Sequence, residues 1–150
     1  MVKFNEIAKV VDKHMREYLD IYSSSDHFNE QVSWDNNIQQ YSIIFRINND
    51  TFGDALVYRE LTLIELGHGT GLPQYSIIAR RFSVPNAKSK NRLLETHQFI
   101  KIDNFNTISY WDDRDHNTPP IERECMRNLY HKIRDRIGDI LSEENKEESK

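Results

Sequence analysis

Cysteine, glycine and proline are scarce in this chain of 150 residues. Cys125 is the single cysteine, so an internal disulfide is impossible and a zinc site built from cysteines is disfavoured. A lone thiol is typical of a protein from a reducing compartment. Five glycines and four prolines are too few for a fibrous or low-complexity protein.

Long apolar segments are missing as well. No stretch approaches the roughly 18 apolar residues that a membrane-spanning helix needs, and the polar residues 1–6 do not resemble a secretory signal. We therefore expect a cytoplasmic protein without a membrane partner. The formal net charge of −4 disfavours a protein that coats DNA, although it leaves room for a local basic patch.

The remaining composition is that of an ordinary globular domain. Hydrophobic residues make up 37% and charged residues 29% of the chain, which supplies enough apolar material for one core. A length of 150 residues suits one domain rather than two. We predict a single domain over residues 1–142 and a charged, disordered tail over residues 143–150.

Helical patterns lie near both ends of the chain. Between about Lys3 and Tyr22, apolar residues recur at every third or fourth position. Towards the other end, Thr118 suits an N-cap and Pro119 a first helical position, and an apolar stripe follows through Ile140. The sequence therefore predicts an N-terminal helix and a C-terminal helix.

Alternation of apolar and polar residues predicts strands between the two helices. The segments are 32–34, 39–48, 56–66, 74–84, 95–103 and 107–111, and the last two form a hairpin. A helix remains an alternative for residues 56–66, because leucine and glutamate are good helix formers. The predicted fold class is α+β, with an antiparallel sheet of about five to six strands flanked by the two helices.

Motifs that bind nucleotides and cofactors are not found. The sequence has no Gly-x-x-x-x-Gly-Lys phosphate loop and no Gly-x-Gly-x-x-Gly after a predicted strand. Residues 67–71 read Gly-His-Gly-Thr-Gly, but no predicted helix follows to aim its amides at a phosphate, so a flexible hairpin loop is the simpler interpretation. We predict no cofactor and no metal site.

Polar and titratable residues are densest around the predicted last hairpin. They are His97, Asp103, Asn104, Asp112, Asp113, Arg114, Asp115 and His116. Histidine can move protons near neutral pH, arginine can hold phosphate oxygens, and nearby carboxylates can orient a histidine or hold a hard metal ion. The alternative is a solvated loop in front of a helix, where the helix dipole alone favours carboxylates.

Basic residues on the predicted strands and loops suggest a nucleic-acid-binding patch. They are Arg46, Arg80, Arg81, Lys88, Lys90 and Arg92, accompanied by Tyr41 and Tyr75. Arginine combined with aromatic side chains is typical of proteins that bind single-stranded RNA. The alternative is a set of solvated arginines on sheet edges.

Three titratable residues on the predicted helices, namely Cys125, His14 and His131, are expected to be structural. Cys125 lies on the apolar stripe of the last helix, which predicts a buried thiol rather than a nucleophile. His14 lies beside the apolar stripe of the first helix.

From about residue 56 to residue 141, the order of features resembles the TumE-type toxins of bacterial toxin–antitoxin pairs. The matching pieces are residues 58–65 (Tyr-Arg-Glu-Leu-Thr-Leu-Ile-Glu), residues 71–76 (Gly-Leu-Pro-Gln-Tyr-Ser), Asp103-Asn104, Asp115-His116 and the terminal helix. In that family an Asp-Asn pair precedes an Asp-His-x-His loop, and a ribonuclease-like activity is suspected. Here Thr118 stands at the second histidine, and an extra N-terminal helix and strand precede the matching part.

Two hypotheses about function follow. In the first, the chain is a small toxin-like ribonuclease that acts on RNA without a metal. His116 is then the general acid or base with help from His97, Arg114 stabilises the phosphate, and Asp103 and Asp115 orient the histidine. In the second, the chain is a non-enzymatic inhibitor or adaptor from a mobile element or virus, and it binds a protein. The expected partner is accordingly RNA or a protein, such as a cognate antitoxin.

Overall fold

The computed structural model describes residues 2–22, 31–35, 37–45, 51–52, 55–67, 73–84, 92–111 and 120–148. In chain order the elements are helix α1 (Phe4–Tyr22), strands β1 (Gln31–Asp35), β2 (Gln40–Phe45), β3 (Thr51–Phe52), β4 (Ala55–Leu66), β5 (Gln74–Val84), β6 (Arg92–Ile102) and β7 (Ile108–Tyr110), and helix α2 (Pro120–Glu148). The fold is α+β with a helix at each end, which confirms the fold class. The segment 56–66 is a strand, so the helical alternative is wrong.

All the strands belong to one antiparallel sheet. Their order is β1-β2-β4-β5-β6-β7, and the two-residue strand β3 pairs with β4. The long strands β4, β5 and β6 form the middle of the sheet, and β7 pairs only with the last three residues of β6. The sequence did not predict β3, which lies between the predicted strands 39–48 and 56–66.

The two faces of the sheet differ in their surroundings. Side chains of a strand alternate between faces, so Val57, Leu61 and Leu63 of β4 share the face that we call the inner face. These side chains are buried and, with the exception of Val57, belong to the core cluster that includes both helices. Tyr58 and Glu60 point to the opposite, outer face, which no helix of the described residues covers.

The helices contribute the other half of the core through the stripes that the sequence predicts. On α1, Ile7, Val11 and Met15 are buried, and α2 contributes a longer row, namely Cys125, Leu129, Ile133, Ile137 and Ile140. Burying such apolar stripes against a sheet stabilises the helices far more than their intrinsic propensity does.

The C-terminal end of helix α2 differs from the sequence prediction. Helix α2 continues through Glu148, so residues 143–148, which were predicted to be a disordered tail, are helical. Glutamate and lysine are good helix formers, and they extend a helix that the core has already nucleated.

Within the described residues, neither α1 nor α2 is long and apolar enough to span a membrane.

Candidate active site

The register of β4, β5 and β6 brings charged side chains together on the inner face. Arg59 of β4 lies opposite Arg81 of β5, and Arg81 lies opposite Glu95 of β6. One step along the sheet, Ala79 lies opposite His97. Because directly paired residues share a face, the four charged or titratable side chains are neighbours. We call Arg59, Arg81, Glu95, His97 and their helical partner Glu122 the inner polar cluster.

Two register shifts flank this part of the sheet. The pairing of β5 with β6 is irregular between Ile77 and Ile78 and again between Arg81 and Phe82. Bulges of this kind increase the local twist and re-aim side chains, and they occur frequently beside active sites. The first irregularity accounts for the burial of both Phe99 and Ile100, which are adjacent in the chain and would otherwise point to opposite faces.

Arg59 and Glu122 form the buried end of the inner polar cluster. The Arg59 Nε donates to the Glu122 Oε2 at 2.6 Å, and the two side chains are only 3% and 7% exposed. Glu122 lies in the first turn of α2, where the helix dipole also favours a negative charge. This ion pair ties the start of α2 to the middle of the sheet.

His97 and Glu95 form the more accessible end of the cluster. The His97 Nε2 lies 3.4 Å from the Glu95 Oε2, and the side chains are 20% and 27% exposed. The imidazole also packs edge-on against Phe99, with the ring centroids 6.1 Å apart. A carboxylate and a buried ring therefore fix the imidazole in place, as is required of a group that transfers protons.

The inner polar cluster lines one small cavity. Its walls are Arg59, Ala79, Arg80, Arg81, Glu95, His97, Phe99 and Glu122. The free space is about 10 Å³, which holds approximately one water molecule. A ligand larger than a water molecule must therefore bind outside the cavity beside His97 and Glu95, which are its more exposed residues, or displace Glu122 from Arg59.

Of the predicted catalytic residues, His97 lies in this cavity and Asp103 does not. Asp103 follows β6, six residues after His97, which is a distance of about 20 Å along a strand. Its Oδ1 accepts hydrogen bonds from the backbone N–H groups of Phe105 and Thr107, both at 2.9 Å. Asn106 adopts a left-handed φ of 63° in the same turn. The Asp103 carboxylate thus shapes the β6–β7 turn, and the fold keeps it apart from His97.

Arg114, Asp115 and His116 lie outside the described residues. Among the described residues near this segment, Trp111 bonds to a residue of the cavity wall, and Glu122 is itself part of that wall. The Trp111 N–H donates to the Phe99 carbonyl at 2.9 Å, and Glu122 follows two residues after Pro120. The predicted roles of these three residues stay predictions.

The predicted basic patch is divided between the two faces of the sheet. Arg80 points to the outer face, where its Nη1 donates to the Glu60 Oε1 at 3.1 Å, while Arg81 belongs to the inner polar cluster. Arg46, Lys88 and Lys90 lie outside the described residues, and Arg92 is the first residue of β6.

The two tyrosines assigned to that patch are buried. The Tyr41 hydroxyl donates to the Asp12 Oδ1 at 2.8 Å, and the Tyr75 hydroxyl donates to the Val2 carbonyl at 3.0 Å. Burial raises the pKa of the Tyr75 hydroxyl, and the Glu65 carboxylate raises it further. Neither ring is available to stack on a base.

Sequence reasoning missed Arg59, Glu95 and Glu122. Arg59 was part of a strand with apolar residues on both faces, and nothing in the local pattern distinguished it from a solvated arginine. One signal was present, since Glu95 and His97 are two residues apart in a predicted strand and must share a face. Glu122 is 63 residues from Arg59 in the chain, so only the fold shows the pair.

The sequence prediction for Cys125 and His14 is confirmed, because both residues are buried, whereas His131 is exposed. The His14 Nε2 donates to the Cys125 carbonyl at 2.9 Å and lies 3.4 Å from its Sγ. Burial raises the pKa of the Cys125 thiol, which disfavours the reactive thiolate. Burial likewise lowers the pKa of His14, and Lys132 adds to the effect, although the bond to the Cys125 carbonyl opposes it.

The protein is expected to lose stability below about pH 6.5, because the unfolded chain then binds a proton at His14 that the folded chain resists. The free energy of unfolding should fall as the pH drops from about 7.5 to about 5.5. Urea titrations at both pH values check this, with His14→Gln as the variant and exposed His131→Gln as the control. The His14 variant should lose less stability on acidification than the wild type and the control do. Equal losses in all three proteins would contradict the prediction.

Within the described part of the chain, no group of three or more histidine, cysteine, aspartate or glutamate side chains is arranged to hold a metal ion. Comparison with protein-family models, curated proteins and solved structures finds no match for this chain. The resemblance to TumE-type toxins therefore stays a prediction, and the function must be argued from the site itself.

Proposed function

We propose that this protein is a small, toxin-like ribonuclease that cleaves RNA without a metal ion at the inner polar cluster. The observation that carries the proposal is the shared cavity, in which an imidazole and a carboxylate lie beside the guanidinium groups of Arg59 and Arg81. Protons can be transferred by His97, and negative charge can be stabilised by the nearby Arg81.

RNA cleavage requires only these two capabilities. A base removes the proton of the ribose 2′-hydroxyl, and the 2′-oxygen then attacks the adjacent phosphorus. The bond from phosphorus to the 5′-oxygen breaks, and an acid donates a proton to that leaving oxygen. The products are a 2′,3′-cyclic phosphate and a 5′-hydroxyl.

In this proposal His97 is the proton-transfer group, and Glu95 is its partner. The Glu95 carboxylate, 3.4 Å from the imidazole, fixes the orientation of the ring. Arg81 is placed to hold the phosphate and to stabilise the charge that grows on it in the transition state. Arg114 and His116 remain proposed contributors on the strength of the sequence alone.

A bacterial host gives the first test of this function. Induced expression of the wild type is expected to arrest growth, and His97→Ala is expected to relieve the arrest. Thr96→Ala is the matched control, since Thr96 is exposed and adjacent to His97 on the opposite face of β6. His116→Ala tests the sequence-based assignment in the same assay. Equal arrest by the wild type and His97→Ala would contradict a catalytic role for His97.

A non-enzymatic protein-binding role is the second candidate, and the outer face of the sheet favours it. On this face Tyr58 and Phe82 stack with ring centroids 6.0 Å apart, and Leu56 and Leu93 are 41% and 59% exposed. Exposed apolar groups of this kind are typical of surfaces that meet another protein. An inhibitor or adaptor of this type would form a stable complex in a pull-down and show no turnover of RNA.

A further inference from the structure

Helix α2 carries a row of arginines that do not belong to the inner polar cluster. Arg123, Arg127 and Arg134 are separated by four and seven residues, so they lie on one side of the helix. We call these three residues the arginine stripe. Between Arg123 and Leu141, the other positions on this side include Tyr130, His131, Gly138 and Leu141, and none of these four is acidic; the acidic Glu148 lies on the same side at the end of the helix.

The arginine stripe is not neutralised by the described part of the protein. None of its three side chains forms an ion pair with a described residue. The Nε of Arg123 is buried and has no hydrogen-bond partner among those residues. Two other cations of α2 behave differently, because Lys132 pairs with Glu17 at 3.3 Å and Arg136 pairs with Glu6 at 3.5 Å. The chain has a net charge of −4, so this row of arginines without ion pairs among the described residues is a positively charged patch on an acidic protein.

Aromatic rings hold part of the stripe in position. The guanidinium carbon of Arg134 lies 5.6 Å from the centroid of the Tyr130 ring. Tyr130 in turn contacts Tyr110 of β7, with the ring centroids 5.4 Å apart. A guanidinium held over a ring keeps its N–H groups available at its edge, where they can bind phosphate oxygens.

The stripe begins beside the proposed catalytic cavity. Arg123 follows Glu122, whose carboxylate lines that cavity. From Arg123 to Arg134 the helix rises by about 16 Å, at ~1.5 Å per residue. A stacked nucleic-acid strand rises by ~3.4 Å per nucleotide, so the stripe matches about five nucleotides.

We propose that the arginine stripe binds the phosphate backbone of single-stranded RNA and leads the strand to the inner polar cluster. The proposal rests on the proposed ribonuclease function and specifies its substrate class. A single strand is favoured over a duplex because exposed aromatic side chains such as Trp111, which is 46% exposed, can stack only on bases that are not paired. The sequence predicted an RNA-binding surface on strands and loops. The proposal instead assigns RNA binding to the C-terminal helix α2.

The test is a binding titration in which cleavage is impossible. A fluorescein-labelled single-stranded 2′-O-methyl RNA lacks the nucleophilic 2′-hydroxyl, so its anisotropy reports binding alone. The variant is Arg127→Gln with Arg134→Gln, and its matched control is Lys132→Gln with Arg136→Gln. Both remove two positive charges from the same helix. We expect the variant to bind about tenfold more weakly and to lower the slope of log K against log salt by about 1.4. The control should stay within about twofold of the wild type.

A second pair of variants examines the aromatic support. Tyr130→Leu should weaken binding, because Arg134 loses the ring beneath it, and Tyr130→Phe should restore wild-type affinity. Equal weakening by the stripe variant and its control would overturn the proposal, and so would unchanged binding by the stripe variant. Tighter binding of duplex than of single-stranded RNA would also overturn it.

The outcomes separate this inference from the proposed function. Stripe-dependent binding without any cleavage of ordinary RNA supports the binding surface and contradicts the ribonuclease. Cleavage of RNA at a rate and affinity that the stripe variant leaves unchanged supports the ribonuclease and contradicts the binding surface.

Discussion

Replacing His97 by alanine is expected to lower the rate of RNA cleavage by about 10²- to 10⁴-fold, which is the usual contribution of a positioned acid–base group. The imidazole is held by Glu95 at 3.4 Å and by the buried Phe99 ring, and no other histidine of the described residues lines the cavity. The measurement is the initial rate of cleavage of a labelled single-stranded RNA under substrate excess. The His97 side chain is 20% exposed, so we expect the variant to remain folded.

Two further variants show whether the loss of cleavage rate comes from the proton-transfer step rather than from a general disturbance of β6. Glu95→Gln keeps the size of the side chain and removes its charge, and it should lower kcat more than it raises KM. Thr96→Ala should keep the wild-type rate, because this exposed residue points to the outer face. If His97→Ala retains the wild-type rate while folded, the assignment of His97 is wrong.

Replacing Arg59 by methionine is expected to lower the free energy of unfolding by about 3–5 kcal/mol. The substitution keeps an unbranched side chain of similar length but leaves the Glu122 carboxylate buried without its partner at 2.6 Å. Removing one member of a buried ion pair is costly because the other charge stays in a poorly solvated place. Urea denaturation followed by circular dichroism gives the free energy directly.

An exposed ion pair supplies the control for Arg59. Arg16 pairs with Asp12 at 3.0 Å, but its side chain is 51% exposed, so Arg16→Met should cost less than about 1 kcal/mol. The double variant Arg59→Met with Glu122→Met should recover much of the lost stability, since no unpaired charge is then buried. If Arg59→Met is no more destabilising than Arg16→Met, the pair does not hold α2 to the sheet.

The fold was largely predictable because its signals are local. The apolar stripes of both helices and the alternation within the long strands can be read from neighbouring residues. Segment 56–66 shows the limit of predicting secondary structure from local signals. Its leucines and glutamates favour a helix locally, and only pairing with β2 and β5 on both sides makes it a strand.

The candidate site was predictable only in part, because its members come from four separate elements. His97 was found as a titratable residue near the last hairpin, but its neighbours depend on the strand register. That register places Arg59, Arg81 and Glu95 in one row, and the two irregularities that frame it leave no recognisable pattern in the sequence. Asp103 shows the opposite error. It is close to His97 in the chain, which suggested a shared site, but the second half of β6 separates the two side chains.

The arginine stripe had a readable signal that was overlooked. Arg123, Arg127 and Arg134 lie at helical spacing in a segment that was correctly predicted to be helical. What the sequence could not provide is the pairing of the other cations, Lys132 and Arg136, with residues of α1. Without that information every basic residue of the helix looks equally solvated.

The most direct measurement is the chemistry of the RNA ends after incubation with the purified wild-type protein in the presence of EDTA. A single-stranded RNA labelled at its 5′ end and its 2′-O-methyl counterpart would be compared by gel electrophoresis and mass spectrometry. The account predicts cleavage of the ordinary RNA alone, with 2′,3′-cyclic phosphate and 5′-hydroxyl ends, and loss of these products with His97→Ala. Intact RNA with the folded wild type, or products that form equally with His97→Ala, would contradict it.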